Sequence, residues 1–207
     1  MHASYDDNVF LNCPFDKVYL PILESIIFAI HDCGFFARSA LESDDGGEVR
    51  IRKIQALIRI CRYGIHDISR IELSQSSGLP RFNMPLELGI FLGAKSFGTG
   101  PQELKRCMIL DSEAYRYQRF CSDIAGQDIH FHDDKPLEAL KKVRNWLSNH
   151  TARGLVRVPG GSVMVKRYTK FQSELPFICN HLDLERHELQ FPEYRDMVAS
   201  WLQENNA

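Results

Sequence analysis

The sequence predicts an α/β protein with a five-stranded parallel sheet, helices on both faces and a helical appendage at the C-terminus. Three observations carry that expectation. Strand-sized apolar runs alternate with stretches of helical periodicity five times between residues 8 and 149. After Thr151 this rhythm stops and only helical patterns follow. The 207 residues suffice for one good core, or a core domain plus a small appendage.

The elements follow in order. Asn8–Asn12 (NVFLN) reads as a short buried strand, and Cys13-Pro14-Phe15-Asp16 as the turn after it. Asp16 is placed to cap a helix over Lys17–Cys33, whose Leu20, Leu23, Ile26, Ile27 and Ile30 form a wide apolar stripe that Gly34 ends. Phe35–Arg38 reads as strand two and Glu42–Glu48 as a polar loop. A helix over Val49–Tyr63 presents Ile51, Ile54, Leu57, Ile58 and Cys61 at helical spacing, with Gly64 as its stop. Ile65–Ile68 is strand three. The polar loop Ser69–Phe82 follows, broken by SerSerGlyLeuPro, and a long loop in a compact domain is more often functional than idle. Asn83 suits a cap for a helix over Met84–Ser96, with Pro85 in its first turn. Arg106–Leu110 is strand four, Tyr115–Ile124 a helix or lid with an aromatic face, and Asp128–Phe131 strand five. Pro136–Asn149 is an amphipathic helix. The whole is flavodoxin-like (Rossmann-like), a three-layer sandwich over residues 1–150. Residues 151–207 are a helical extension: a connector, a helix over Ser162–Leu182 that Pro176 kinks or splits, and a last helix opening at Phe191-Pro192.

Composition narrows the function classes. Net charge is −2, and the residues are 44% hydrophobic and 25% charged, so nothing global points to nucleic acid or an anionic membrane. The longest apolar run, Pro21–Ile30, is too short to span a bilayer, and the N-terminus carries no secretory pattern. The six cysteines form no CxxC pair, which suggests reduced thiols and a cytoplasmic protein. His130 and His132 point to one side of a strand, but without a third ligand no metal site is expected. Neither GxGxxG nor GxxxxGKS/T follows a strand, and a GxSxG elbow is absent. A receiver domain would need paired acids after strand one, where only Asp16 stands.

Two carboxylates remain prominent. Glu87 stands among Met84, Leu86, Leu88, Ile90, Phe91 and Leu92, and a Glu is rarely buried unless something pairs with it or uses it. Asp67 stands where strand three ends, and strand C-termini are where α/β sheets bind ligands. Asn12, Asp16 and Asn83 belong to the same edge, with Arg38 nearby. Asp16 and Asn83 also suit plain helix caps, and Arg38 a surface ion pair. A fixed carboxylate can attack a sugar C1′ or stabilise an oxocarbenium-like transition state there.

The stretches VFLNCPFD, IHDIS and NMPLELGIFLGAK resemble the superfamily of nucleoside 2-deoxyribosyltransferases and TIR-like domains. The resemblance covers residues 8–149. It implies Glu87 as nucleophile or catalytic carboxylate and Asp67 as the residue that orients base or sugar. Asn12 and Asp16 match it only as polar residues at the first strand-to-helix turn. It further implies a nucleoside, nucleotide or NAD as substrate rather than as bound cofactor, a homo-oligomer, and in bacterial members a role in anti-phage defence. A nucleotide sensor that signals through its helical tail to a protein partner, and a scaffold with a vestigial pocket, are the competing expectations.

Overall fold

The structure is a computed structural model that describes residues 4–71, 81–150 and 158–205. Its strands are β1 (Asn8–Asn12), β2 (Phe36–Ser39), β3 (Tyr63–Asp67), β4 (Arg106–Asp111) and β5 (Ile129–Phe131). All pairs are parallel and the order is β2-β1-β3-β4-β5, the flavodoxin-like arrangement. The helices are α1 (Leu20–Asp32), α2 (Arg50–Arg59), α3 (Asn83–Phe97), α4 (Pro136–Ser148), α5 (Gly161–His181) and α6 (Phe191–Asn205).

Strand period divides the core in two. Val9, Leu11, Tyr63, Ile65, Met108 and Leu110 face α1 and α4 and join one large cluster with residues of α5 and α6. Phe10 faces the other way and packs with α2 residues and Phe91 of α3, while Ile109 packs with Met84 and Leu88 of α3. The central strands are covered on both faces, which is why their sequences are apolar almost throughout. α5 and α6 form an outer layer against α1 and α4. Among the described residues no helix is long and apolar enough to cross a membrane.

Several boundaries differ from the sequence expectation for physical reasons. α1 starts at Leu20, because Asp16 Oδ1 accepts the backbone N–H of Val18 and Tyr19 and holds those residues in a turn. α2 ends at Arg59 and Gly64 lies inside β3, so Gly64 is no helix stop. A Cβ at Gly64 would stand 2.7 Å from His66 Nε2 and from the Phe91 ring, so the glycine permits close packing of α3 on the strand. Lys105 Nζ, buried, donates to the carbonyls of Ile58 and Cys61 and so closes the end of α2. The segment 115–124 forms two short 3₁₀ turns, Arg116–Arg119 and Ser122–Ile124, with Tyr117 and Ile124 in the core. Helix α5 runs through Pro176 without being split. The SerSerGlyLeuPro breaker and the start of the connector, residues 153–157, lie outside the described residues.

Candidate functional site at the β1/β3 switch point

The chain leaves β1 toward β2 on one side and returns to β3 on the other, so a crevice is expected at the ends of β1 and β3. Asn12 ends β1 opposite His66, and Asp67 ends β3. Asn12 Nδ2 donates to the Met84 carbonyl at 2.8 Å and to His66 Nδ1 at 2.9 Å. It thereby ties the first turn of α3 to the switch point, and Glu87 stands one turn further along that helix. Burial, together with the charge of Lys105, pushes the His66 pKa down to about 3, so this imidazole stays neutral.

Asp67 is 0% exposed and all its visible partners are donors. Tyr19 Oη donates to Oδ2 at 2.5 Å, His132 Nε2 donates to the same oxygen at 3.0 Å, and the Ser69 N–H donates to Oδ1 at 2.8 Å. His132 Nδ1 accepts the Asp134 N–H at 3.0 Å, which leaves the proton on Nε2 and aims it at Asp67. Burial alone would raise the Asp67 pKa, but the His132, Ser69 and Tyr19 bonds outweigh it and hold the carboxyl below its usual range. Burial likewise pushes the His132 pKa down, and the Asp67 bond and charge more than reverse that. Burial and the Asp67 charge push the Tyr19 hydroxyl well above its usual pKa. Asp67 is therefore a sealed anionic hub that fixes the ends of β1, β3 and β5 relative to one another.

Glu87 has the opposite environment. It is 6% exposed, and among the described residues nothing hydrogen-bonds or ion-pairs its carboxylate. Burial raises its pKa to about 7, with the Arg50 charge pulling the other way. Burial first, and then the charges of Asp67, Glu87 and Asp16 together, push the buried Cys13 thiol far above its usual pKa. Asp16, Asp67 and Glu87 thus all act electrostatically on Cys13, the residue that follows β1. Asp16 also caps the turn before α1, and Arg81 Nη1 stands 3.9 Å from its Oδ2.

Two expected residues do not join this group. Arg38 gives its Nε to both carboxylate oxygens of Glu42, at 2.8 and 2.9 Å, in a capping turn that Arg195 also approaches. Asn83 is exposed and lies inside the first turn of α3; Phe82 is the capping position, and no side chain caps it. Asn83 is therefore no helix cap, because the helix begins one residue too early for its side chain to reach back. Sequence reasoning also passed over Tyr19, Arg50, Arg81 and Arg116. Arg116 Nη2 donates to the carbonyls of Ile68 and Ser69 at 3.0 and 2.7 Å and to Asp111 Oδ1 at 2.6 Å, pinning the turn after β3 to the end of β4. His132 was noticed only as half of a histidine pair. His130 instead lines a separate cleft with Cys107 and Trp146. Among the described residues no three His, Cys, Asp or Glu side chains are grouped to hold a metal.

A cleft of 490 Å³ opens beside the cluster, between the β1–α1 turn, the segment after β2 and the turn joining α5 to α6. Asp16, Leu20, Leu41, Arg50, Arg186 and Phe191 are among its walls. Neither Asp67 nor Glu87 lines it. Asp16 and Arg50 connect it to the carboxylates electrostatically: Arg50 acts on Glu87, and Asp16 acts, beside Asp67 and Glu87, on Cys13. Comparison with protein-family models and with curated protein sequences returns no match.

Proposed function

We propose that the chain breaks or transfers the N-glycosidic bond of a nucleoside, a nucleotide or NAD, with Glu87 as its catalytic carboxylate. The observation that carries this reading is a nearly buried carboxylate without a partner among the described residues, on the helix tied to the strand-end crevice, with a pKa of about 7. Near neutral pH such a group exists in both forms. Ionised, it attacks C1′ or stabilises the oxocarbenium while the base leaves with the bonding pair; water or a second base then takes the sugar. Asp67 holds the crevice in shape from behind and does not touch substrate, because its oxygens are enclosed. Asn12 positions the helix that carries Glu87. The six free cysteines support a reducing, cytoplasmic setting, and a role in antiviral defence rests on the family resemblance alone.

A sensing module that binds a nucleotide without cleaving it draws on a different observation, the position of both carboxylates outside the 490 Å³ cleft. Its outlet to a partner would be the groove between α5 and α6, where Phe177 and Leu182 are exposed. Product analysis by liquid chromatography separates the two. The purified chain is incubated with NAD and with a panel of nucleosides and deoxynucleotides, beside Glu87→Gln. Release of nicotinamide or a free base, reduced about 100-fold or more in the variant, is expected. Full turnover by Glu87→Gln would refute the assignment, and binding of an intact nucleotide without product would favour the sensor.

A further inference from the structure

The outer layer carries a groove of 650 Å³ between α5 and α6. Met197 and Trp201 of α6 line it almost closed to solvent, while Phe177 and Leu182 of α5 stand open, 74% and 51% exposed. A single exposed Phe or Leu is ordinary on a protein surface, but two that share one groove mark a place for a partner. The lining residues belong to the stretch 158–205, which the structure describes without a break. Residues 206 and 207 span about 7 Å. They follow Asn205, about 12 Å along α6 from Met197, and are too short to reach the middle of the groove.

Charge is distributed unevenly around these apolar side chains. The chain holds 25 Lys and Arg against 27 Asp and Glu, yet among the described residues no Lys or Arg lines the groove. Its acids are Glu193, Asp196 and Glu204. Asp196 is matched by Arg195, whose Nε donates to Oδ1 at 2.8 Å. Lys170, over the Trp201 ring, is matched in turn by Glu174 at 3.7 Å. Glu193 accepts the backbone N–H of Gln190, and among the described residues neither it nor Glu204 has a cation. Eleven residues of one helix separate these two acids, which places them about 16 Å apart along α6 and within about 20° around its axis.

An apolar groove bracketed by two unmatched carboxylates fits a helix of the reverse pattern. Such a helix lays apolar residues at i, i+3, i+4 and i+7 into the groove and carries Lys or Arg about three turns apart at the ends of that stripe. The same two anions repel an acidic helix and an anionic lipid surface. A second copy of this chain offers no free helix of that kind. Its basic helix is α2, and α2 already buries Ile54, Leu57 and Ile58 in its own core.

We propose that the groove between α5 and α6 binds an amphipathic helix of another protein, basic at both ends of its apolar side. Such a partner suits the sensing reading but does not depend on it, because the groove is remote from the chemistry at Glu87. The probe is a fluorescein-labelled peptide of about four helical turns, with leucines at the spacing above and lysines elsewhere. Its anisotropy is titrated with the full chain and no nucleotide, so a failure here leaves the assignment of Glu87 untouched. Saturable binding is expected, at least tenfold tighter than that of a peptide with glutamates in place of the lysines, or of one with the same composition and no apolar side. Phe177→Ser is expected to weaken it at least tenfold; Leu182→Ser, at a second exposed position, serves if the first variant folds poorly. Glu193→Gln/Glu204→Gln is expected to reduce the preference for lysine over glutamate at least fivefold. No binding of the Leu/Lys peptide, equal binding of the Leu/Glu peptide, or binding indifferent to both serine variants would each overturn the proposal. Concentration-dependent self-association of the native chain in sedimentation, abolished by Phe177→Ser, would overturn it too and give the groove to a second copy.

Discussion

Glu87 and Asp67 are both buried acids, and their surroundings drive them in opposite directions. Three donors hold Asp67 ionised, whereas burial lifts Glu87 to about 7, above its ordinary 4.5, and among the described residues only the Arg50 charge opposes it. The raised value has a consequence for stability that needs no substrate. Below about pH 4.5 Glu87 is protonated whether the chain is folded or not, and the fold loses nothing. Between 4.5 and 7 the unfolded chain ionises first, so stability falls as pH rises, and above 7 the loss is complete. Glutamine keeps the shape and cannot ionise. Glu87→Gln is therefore expected to match the native chain near pH 4.5 and to exceed it by about 1–2 kcal/mol at pH 8, after allowance for water at the carboxylate. Urea unfolding at the two pH values checks this, and a difference that does not change with pH would contradict it. Both acids were legible in the sequence because an acid in an apolar run, or at a strand end, is locally anomalous. Tyr19 and His132 were not. They reach Asp67 from 48 and 65 residues away, and no local pattern records such a contact.

The elements themselves were legible to within a few residues, and the largest displacement falls where a distant group decides. The apolar spacing from Ile51 to Cys61 continues past the true end of α2, which closes at Arg59 because Lys105 arrives to take the carbonyls of Ile58 and Cys61. Gly64 then reads as a helix stop, although it serves as a gap in β3. The difference is testable. A glycine that merely ends a helix at φ below zero tolerates alanine, whereas a Cβ here would lie 2.7 Å from both His66 Nε2 and the Phe91 ring. Neither ring has room to retreat, since both are completely buried. Gly64→Ala is accordingly expected to cost about 1–3 kcal/mol through overpacking. A denaturant titration would show this as a lower midpoint at constant slope. An unchanged midpoint would mean that α3 can lift away from β3 freely. In that case the Asn12 bond to Met84 would not be holding the helix that carries Glu87.

For the molecule as a whole, the open question in the sequence was what the last two helices pack against, the sheet or another chain. Their apolar stripes were legible, with Tyr194, Met197, Val198, Trp201 and Leu202 at helical spacing, but a stripe does not name its partner. The structure lays it on α1. Phe28 lies 5.3 Å from the Tyr168 ring, 5.7 Å from Phe171 and 6.1 Å from Trp201, measured between ring centres. Around this aromatic cluster Arg186 grips both oxygens of the buried Glu24, at 2.6 and 2.7 Å, and Gln172 joins Glu24 to Tyr194. The cluster is continuous with the sheet core through α1 and α4, so the layers have no separate interiors. A chain ending at His150 would leave Phe28 and the neighbouring side of α1 in water and Glu24 without its cation, and is expected to show no cooperative unfolding transition. In the full chain, Trp201→Ala is expected to lower stability by about 3–5 kcal/mol and to move one transition, the same by near- and far-ultraviolet circular dichroism. If residues 1–150 unfolded cooperatively by themselves, the outer helices would be an addition to a finished domain. If they do not, the turn that places Arg186 in the cleft wall is fixed by the core itself, and the cleft shared by Arg186 and Asp16 is held by the same packing as the sheet.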